Sequence, residues 1–371
     1  MRHHWTWHRL KSLAHEEWRA LVTINPSDRP WQMPASVALA AGVPMLIGAY
    51  FDHLDYGLIS SLGGMAFLYL PRTPLHHRMV TMMACAFGFL GCYVVGLIVH
   101  LLPFLLVPAI TLIAILVTMV CRYYRVGPPG SLFFVMAASI AAYTPSDLMQ
   151  LPLKAGLFAL GSLLATQIAF VYSLIALRIR TPTPVEPLQP FDFDVVVLDS
   201  VIIGAVVGVA LALAQALQLD RPYWVPVSCL AVIQGLSIRA IWNRQLHRIL
   251  GTAIGLGVAA VLLSLPLEKW SIALSIMTLS FVIETAVIRH YGFAVIFITP
   301  LTIFLADAAS LGHAVPGAII EARFIDTVLG CFIGLVGGIL LHNPGFRRAV
   351  RPAIRRLTPL ALLPGRTPPQ P

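Results

Sequence analysis

Long apolar segments, separated by short polar or proline-containing breaks, recur along nearly the whole chain. Apolar runs of this length predict helices that lie in a lipid bilayer, which takes about 20 residues to cross. We predict an all-α integral membrane protein with about twelve such helices, near residues 36–51, 56–71, 79–101, 103–121, 129–145, 152–177, 197–218, 223–239, 245–265, 270–287, 291–308 and 319–342. The second, fifth and eighth segments are short for a full crossing, and we expect them to tilt or to extend through flanking polar residues.

The two halves of this pattern resemble each other. Four pairs of residues occupy matching places about 170 positions apart: Tyr56 and Tyr223, Arg78 and Arg248, Lys154 and Arg323, and Gly161 and Gly330. Duplicated halves are typical of membrane transporters, with the substrate path at the interface between the repeats. The alternative is a chance likeness between hydrophobic helices. The pattern predicts two six-helix repeats, at residues 36–178 and 197–342, joined by a proline-rich linker at residues 179–196.

Basic residues are distributed unevenly among the breaks. If the N-terminus is cytoplasmic, 21 of the 25 lysines and arginines lie on the cytoplasmic side, as the positive-inside rule expects. An even number of spans then places both termini in the cytoplasm, and six spans per repeat make the repeats parallel. Residues 1–35 predict an amphipathic helix at the membrane interface, and residues 343–371 predict a basic, partly disordered tail.

Composition agrees with this class of protein. The chain is 58% hydrophobic and 11% charged, with a mean hydropathy of +0.83, whereas soluble domains carry about 25% charged residues. The net charge of +9 lies in short breaks between apolar segments, which argues for lipid contact rather than nucleic acid binding. The sequence contains no catalytic motif, metal-ligand pattern or nucleotide-binding loop, so we predict no enzyme activity, no metal and no cofactor.

Ionisable residues inside apolar segments are costly, and they are therefore candidates for function. Asp199, Glu284, Asp307 and Asp326 are candidates for proton coupling or for ion pairs. Arg323 and Asp326 are three residues apart on one helical face, so they can pair. For Arg323 a substrate-binding role and a structural role are both open, whereas a structural role is favoured for Asp326. Asp199 also fits an acidic cap at the membrane interface.

Three further residues are candidates for substrate binding or gating. Arg78 and Arg248 each precede a helix rich in small residues at the predicted cytoplasmic face, where they would attract an anion. The alternative is that both are ordinary basic loop residues that follow the positive-inside rule. Gln234 supplies an uncharged hydrogen-bonding group within the eighth segment, and we expect it to line a substrate path.

The second half resembles the membrane module of the fusaric acid resistance-like family, which includes bacterial aromatic acid exporters. The resemblance rests on three motifs in order: Tyr223-Trp224 entering a helix with Gln234, Arg248-Ile-Leu-Gly251-Thr252, and Ala322-Arg323-Phe-Ile-Asp326-Thr327 followed by Gly330. It implies a bacterial inner-membrane protein that exports aromatic or other organic carboxylates, with Arg248, Arg323 and Asp326 as the residues carried over. It also implies a periplasmic adaptor as a partner. Larger members carry a cytoplasmic domain that this chain replaces with the proline-rich linker.

The leading hypothesis is a secondary, proton-coupled exporter of small organic anions. One alternative is a passive anion channel, and another is a non-transporting membrane subunit that needs envelope partners. Glycine-rich helix faces permit a homo-oligomer without requiring one.

Overall fold

The computed structural model describes residues 23–27, 29–188, 190–235, 237–265, 268–307 and 316–358. Within these ranges the chain forms α-helices and short helical turns, with no β-strand. The helices are α1 (Gln32–Tyr50), α2 (Leu54–Gly64), α3 (Leu75–His100), α4 (Leu106–Tyr123), α5 (Leu132–Tyr143), α6 (Leu151–Ile179), α7 (Asp199–Ala216), α8 (Trp224–Ile233), α9 (Ile238–Leu263), α10 (Lys269–Ala286), α11 (Tyr291–Asp307), α12 (Pro316–His342) and α13 (Pro344–Leu357). A 3-10 turn, Met65–Tyr69, follows α2, and a π-helical turn, Asp194–Leu198, precedes α7.

Each of the twelve predicted apolar segments overlaps one of the helices α1 to α12 over most of its length. In the described part of the chain, seven helical stretches are long and apolar enough to cross a membrane: Gln32–Tyr50, Leu75–His100, Pro103–Tyr123, Leu148–Ile179, Asp194–Ala216, Ile238–Leu263 and Gly317–His342. Three shorter apolar helices accompany them, at Leu132–Tyr143, Trp224–Ile233 and Tyr291–Leu305. The chain is therefore a multi-pass membrane protein.

The helices pack in two corresponding sets. In the first set α2 packs on α6, and α3 packs on α5 and α6. In the second set α8 packs on α12, and α9 packs on α11 and α12. The largest contacts between the sets are those of α1 with α10 and of α7 with α4, and α5 also packs on α8. Since the first helix of each set contacts the fourth helix of the other, the two largest contacts are reciprocal.

Glycines allow the closest of these contacts. A Cβ atom on Gly161 of α6 would lie 1.8 Å from the carbonyl oxygen of Ser60 in α2. A Cβ atom on Gly330 of α12 would lie 2.4 Å from the carbonyl oxygen of Val225 in α8. Only glycine fits at such distances, and small residues are how membrane helices bring their backbones together.

The two polar segments outside the sets are partly ordered. The proline-rich linker returns to the loop before α3, where the backbone N–H of Thr183 donates to the carbonyl of Arg72 at 3.0 Å. The basic tail begins as helix α13 rather than as disordered chain, because Arg347 and Arg351 pair with Asp199 and Asp194. The predicted interfacial helix falls on residues 1–22, and the predicted disorder on residues 359–371, both outside the described residues.

Candidate functional site

Polar side chains that are almost fully buried gather where α8, α9, α11 and α12 meet. Arg323 and Asp326 of α12 are 2% and 1% exposed. The Arg323 guanidinium carbon lies 3.7 Å from the centre of the Trp224 ring, at the start of α8. Its Nη2 donates a hydrogen bond to Thr302 Oγ1 of α11 at 3.1 Å. Arg323 is thus held by an aromatic face and a hydroxyl, both neutral.

Arg323 and Asp326 attract each other electrostatically but form no direct hydrogen bond or close ion pair. In the described part of the chain, Nε and Nη1 of Arg323 and both carboxylate oxygens of Asp326 have no hydrogen-bond partner. The two residues share a helical face, but the Arg323 guanidinium contacts Trp224 and Thr302 instead of Asp326. Such groups are rarely left unsatisfied, because burying a charged group without a partner costs several kcal/mol.

Arg248 belongs to the same cluster. It is 4% exposed, its Nε also has no partner among the described residues, and its charge repels that of Arg323. The prediction that Arg248 lies at the entrance to its helix is wrong, because α9 begins ten residues earlier, at Ile238. Gln245, one turn before Arg248, is buried as well, and its Oε1 accepts no hydrogen bond from the described residues.

Close helix contacts bring these residues together. A Cβ atom on Gly255 of α9 would lie 2.5 Å from the carbonyl oxygen of Ile296 in α11, so the two backbones are nearly in contact. Pro300 lies inside α11 and removes one backbone N–H from the helix. The hydroxyl of Thr302, two residues later, donates to the carbonyl oxygen of Thr299 at 2.9 Å. This bond orients the Thr302 hydroxyl oxygen so that it accepts the hydrogen bond from Arg323 Nη2.

Two buried guanidinium groups and one carboxylate give this cluster an excess of positive charge. Three guanidinium N–H groups in it lack partners: Nε and Nη1 of Arg323 and Nε of Arg248. Paired N–H groups of one guanidinium bind a carboxylate in bidentate geometry. The cluster can therefore bind an organic anion with fixed orientation. Arg221 and Asp220, in the turn before α8, also act electrostatically on Asp326.

The other acidic candidates lie outside this cluster. Glu284 of α10 is buried in an ion pair with Arg29 of the N-terminal segment. Asp199 pairs with Arg122 at 3.0 Å and with Arg347 of α13, so it joins α4, α7 and the tail. Asp307 ends α11, and its side chain is outside the described part of the structure.

Gln234 also lies apart from the cluster. It follows the last residue of α8, whereas Trp224 begins that helix, so about 15 Å separates them along the axis. Its Nε2 donates to Ser131 Oγ at 2.9 Å, and Ser131 accepts a second bond from Thr118. These bonds connect the second helix set to the start of α5. The placement favours a packing role over the predicted substrate path.

The first helix set has no comparable cluster at the matching positions within the described residues. Lys154, which matches Arg323, donates to Pro145 and Ser146 near the end of α5. Phe158 is fully buried and stacks on Tyr93, with ring centres 4.4 Å apart. Arg78, which was predicted to match Arg248, is buried in the first turn of α3 rather than exposed in a loop. In the first set, Leu157 and the stacked Phe158 thus stand where the second set has Asp326 and Thr327.

Comparison with known proteins agrees with the motifs of the second half. Residues 201–337 match the model of the fusaric acid resistance protein-like family. The family resemblance inferred from the sequence is thereby confirmed for this segment, which contains Trp224, Arg248, Thr302, Arg323 and Asp326.

Two curated relatives are similar over about two fifths of the chain. An uncharacterized membrane protein YvaC of Bacillus subtilis is 28% identical over 148 residues, which is 40% of this chain and 24% of the relative. An uncharacterized protein YhfK of Escherichia coli is 27% identical over 140 residues, 38% of this chain and 19% of the relative. The matched part thus spans about a quarter or less of each relative's length. No solved structure matches the chain.

Sequence reasoning missed two members of the cluster. Trp224 was noted only as part of a family motif, although a tryptophan two residues before a proline at the start of an apolar helix is a candidate for an aromatic wall. Thr302 was not noted, and its only signal was a hydroxyl two residues after Pro300. Both were hard to find because their roles depend on contacts between different helices.

Proposed function

We propose that this protein is a secondary transporter of small organic carboxylate anions. The observation that carries the proposal is the buried cluster of Arg248, Arg323 and Asp326, in which several guanidinium nitrogens and both carboxylate oxygens lack hydrogen-bond partners among the described residues. Ionisable groups at membrane depth are retained where they bind a substrate or an ion. The match of residues 201–337 to the fusaric acid resistance protein-like family supports export as the direction of transport and aromatic carboxylates as the substrate class.

Arg323 is the proposed carboxylate ligand. Each edge of the guanidinium that binds a carboxylate in bidentate geometry pairs Nη2 with Nε or with Nη1; Nε and Nη1 are without partners, and Nη2 has a second N–H besides the one that it donates to Thr302. Arg248 adds a second positive charge, and Trp224 supplies an aromatic wall for an apolar substrate body.

Asp326 is the proposed proton-coupling residue. Glu284 and Asp199 are both engaged in ion pairs, whereas both oxygens of Asp326 are free to take up a proton or repel a substrate anion. A carboxyl group next to an anion site couples proton binding to anion binding, because the anion binds better when the carboxyl group is protonated. This assignment replaces the sequence-based preference for Glu284 and Asp307.

We further propose that α1 to α12 form two parallel six-helix repeats in the bacterial inner membrane, with both termini cytoplasmic. The reciprocal contacts of α1 with α10 and of α7 with α4 support a twofold relation. In the first contact Gly42 lies against Met277, and in the second Gly208 lies against Thr111. The same sequence offset separates Gly42 from Gly208 and Thr111 from Met277, so the two contacts involve corresponding positions of the two halves. The uneven distribution of lysine and arginine supports the orientation.

The proposal is tested by uptake of labelled benzoate into proteoliposomes, with and without an imposed pH gradient. The wild type is compared with Arg323→Gln and with the control Arg122→Gln, which removes a half-buried charge from an ion pair outside the cluster. We expect saturable, gradient-driven flux in the wild type and the control, and loss of flux in Arg323→Gln. Non-saturating, voltage-driven flux would instead assign a channel. Flux that is absent under every gradient would favour a subunit that needs partners, and full flux in Arg323→Gln would exclude the site.

A further inference from the structure

A second anion site is indicated in the first helix set, at the end of the molecule that carries the N-terminal segment. A cavity of about 50 Å³ lies between that segment, the loop before α3, and helices α3 and α6. Three guanidinium groups line it, those of Arg29, Arg72 and Arg78, together with the Tyr172 side chain. We call it the arginine cavity. We propose that it binds a small phosphate-type oxyanion.

Arg78 is the central observation. It is 6% exposed, and its Nε and Nη1 donate to the carbonyl oxygen of Thr73 at 2.6 Å and to Ser173 Oγ at 3.3 Å. Both acceptors are neutral, and no carboxylate within the described residues forms an ion pair with Arg78. Its Nη2 has no hydrogen-bond partner in the same part of the chain, and the residue lines the cavity. A buried cation with only neutral partners is costly, and an anion in the cavity would provide the missing counter-charge.

The other two arginines add positive charge at the cavity wall. Arg29 forms an ion pair with Glu284, and Arg72 lies in the exposed loop. The start of α3 contributes further positive potential, since Arg78 lies in its first turn. Met33 and Leu70 form an apolar wall opposite these groups. This charge distribution favours an oxyanion over a cation or a neutral ligand.

The cavity is also preformed. The carbonyl oxygen of Arg72 accepts two hydrogen bonds from Thr183 of the linker, from the backbone N–H at 3.0 Å and from Oγ1 at 3.1 Å. In the same loop Thr73 Oγ1 bonds to His77 Nδ1 at 2.8 Å, while its carbonyl binds Arg78. The loop is therefore fixed at Arg72 and Thr73, and an anion can bind without the cost of ordering these residues.

The size and place of the cavity define the ligand. A volume of about 50 Å³ suits a phosphate group and leaves no space for an aromatic acid. Two sources supply this chemistry at a membrane surface: free phosphate and the headgroup of an anionic phospholipid. The inference is independent of the proposed transport function, because Arg323 and Arg248 lie in the other helix set.

The test uses the full-length protein in nanodiscs of phosphatidylcholine, where thermal unfolding is followed as inorganic phosphate is added at constant ionic strength. The variants are Arg78→Gln and Arg72→Gln, and the control is Arg356→Gln, which removes an exposed positive charge from α13. We expect phosphate to raise the unfolding temperature of the wild type and the control. The phosphate concentration for half of this shift should rise roughly tenfold in Arg78→Gln, and by less in Arg72→Gln.

A second arm separates the two sources. If phosphate has no effect, but phosphatidylglycerol in the nanodisc stabilises the wild type and the control and fails to stabilise the Arg72 and Arg78 variants, the ligand is a lipid headgroup. If neither addition stabilises the wild type, or if Arg356→Gln loses the effect as fully as Arg72→Gln, the site is refuted. Arg72 is exposed, so its variant decides the question even if Arg78→Gln does not fold.

Discussion

Replacing Arg323 by glutamine should separate anion binding from stability. On either edge of the guanidinium a carboxylate would accept one N–H from Nη2, which gives only one of its two to Thr302, and one from Nε or Nη1, which no described protein group accepts. If a carboxylate accepts both, each charge-assisted bond contributes about 1.5–3 kcal/mol. Arg323→Gln would then lose about 3 kcal/mol or more of binding free energy. We expect the dissociation constant for benzoate to rise roughly 100-fold or more, since 1.4 kcal/mol corresponds to a factor of ten.

The same substitution should change the stability of the protein far less. The lost contacts are one hydrogen bond to Thr302, worth about 1 kcal/mol, and a cation–π contact with Trp224 worth about 1–2 kcal/mol. Against this, the variant no longer buries a cation that Arg248 repels, and removing such a cation recovers several kcal/mol. These terms nearly cancel, so we expect an unfolding temperature close to that of the wild type.

Titration calorimetry in detergent measures the dissociation constant, and thermal unfolding of the same samples without ligand measures stability. Arg122→Gln is the matched control, because Arg122 also lies in a membrane helix but is paired with Asp199. It should lose about 1 kcal/mol of stability while it keeps the wild-type affinity. The reasoning is refuted if Arg323→Gln binds benzoate as tightly as the wild type, or if it unfolds much earlier than Arg122→Gln.

Three further predictions test the packing, the tail and the coupling. Gly330→Ala should destabilise the protein by about 1–3 kcal/mol in thermal unfolding, because the new Cβ meets a backbone carbonyl at 2.4 Å, whereas Gly156→Ala, with open space around it, should be neutral or slightly stabilising. Asp199→Asn removes the carboxylate that binds Arg122 and Arg347, so hydrogen exchange in α13 should become faster by tenfold or more; unchanged protection would show that apolar contacts alone hold this helix. Asp326→Asn should leave benzoate binding intact but make uptake independent of the pH gradient, and a variant that still responds to pH would exclude Asp326 as the coupling residue.

The positions of the helices were largely predictable, while the contacts of the charged residues were not. A long apolar run is itself the evidence that a segment lies in a bilayer, so each predicted segment overlaps a helix. The pairing of Arg323 with Asp326 was inferred from spacing alone, which cannot show that Trp224 competes for the guanidinium. Likewise, the partner of Glu284 is Arg29, which lies 255 positions away in the sequence.

Helix α13 was not predicted, since the sequence analysis described the tail only as basic and partly disordered. The sequence also contains Phe346, Val350 and Ile354 at helical spacing, and Ile354 is buried against the protein. Asn343 caps the helix by accepting from the backbone N–H of Gly345 at 2.8 Å. The local signal was present, and the ion pairs with Asp199 and Asp194 supply the rest.

The stacking of Arg323 on Trp224 gives the protein an optical reporter of its own. Trp224 is 1% exposed, whereas the other described tryptophans, Trp31, Trp242 and Trp270, are 41% to 69% exposed. A cation 3.7 Å from the indole ring alters its emission, and any ligand that draws the guanidinium away changes the fluorescence of this one buried residue. Binding of an unlabelled carboxylate at the proposed site can thus be tested in real time through the fluorescence of Trp224.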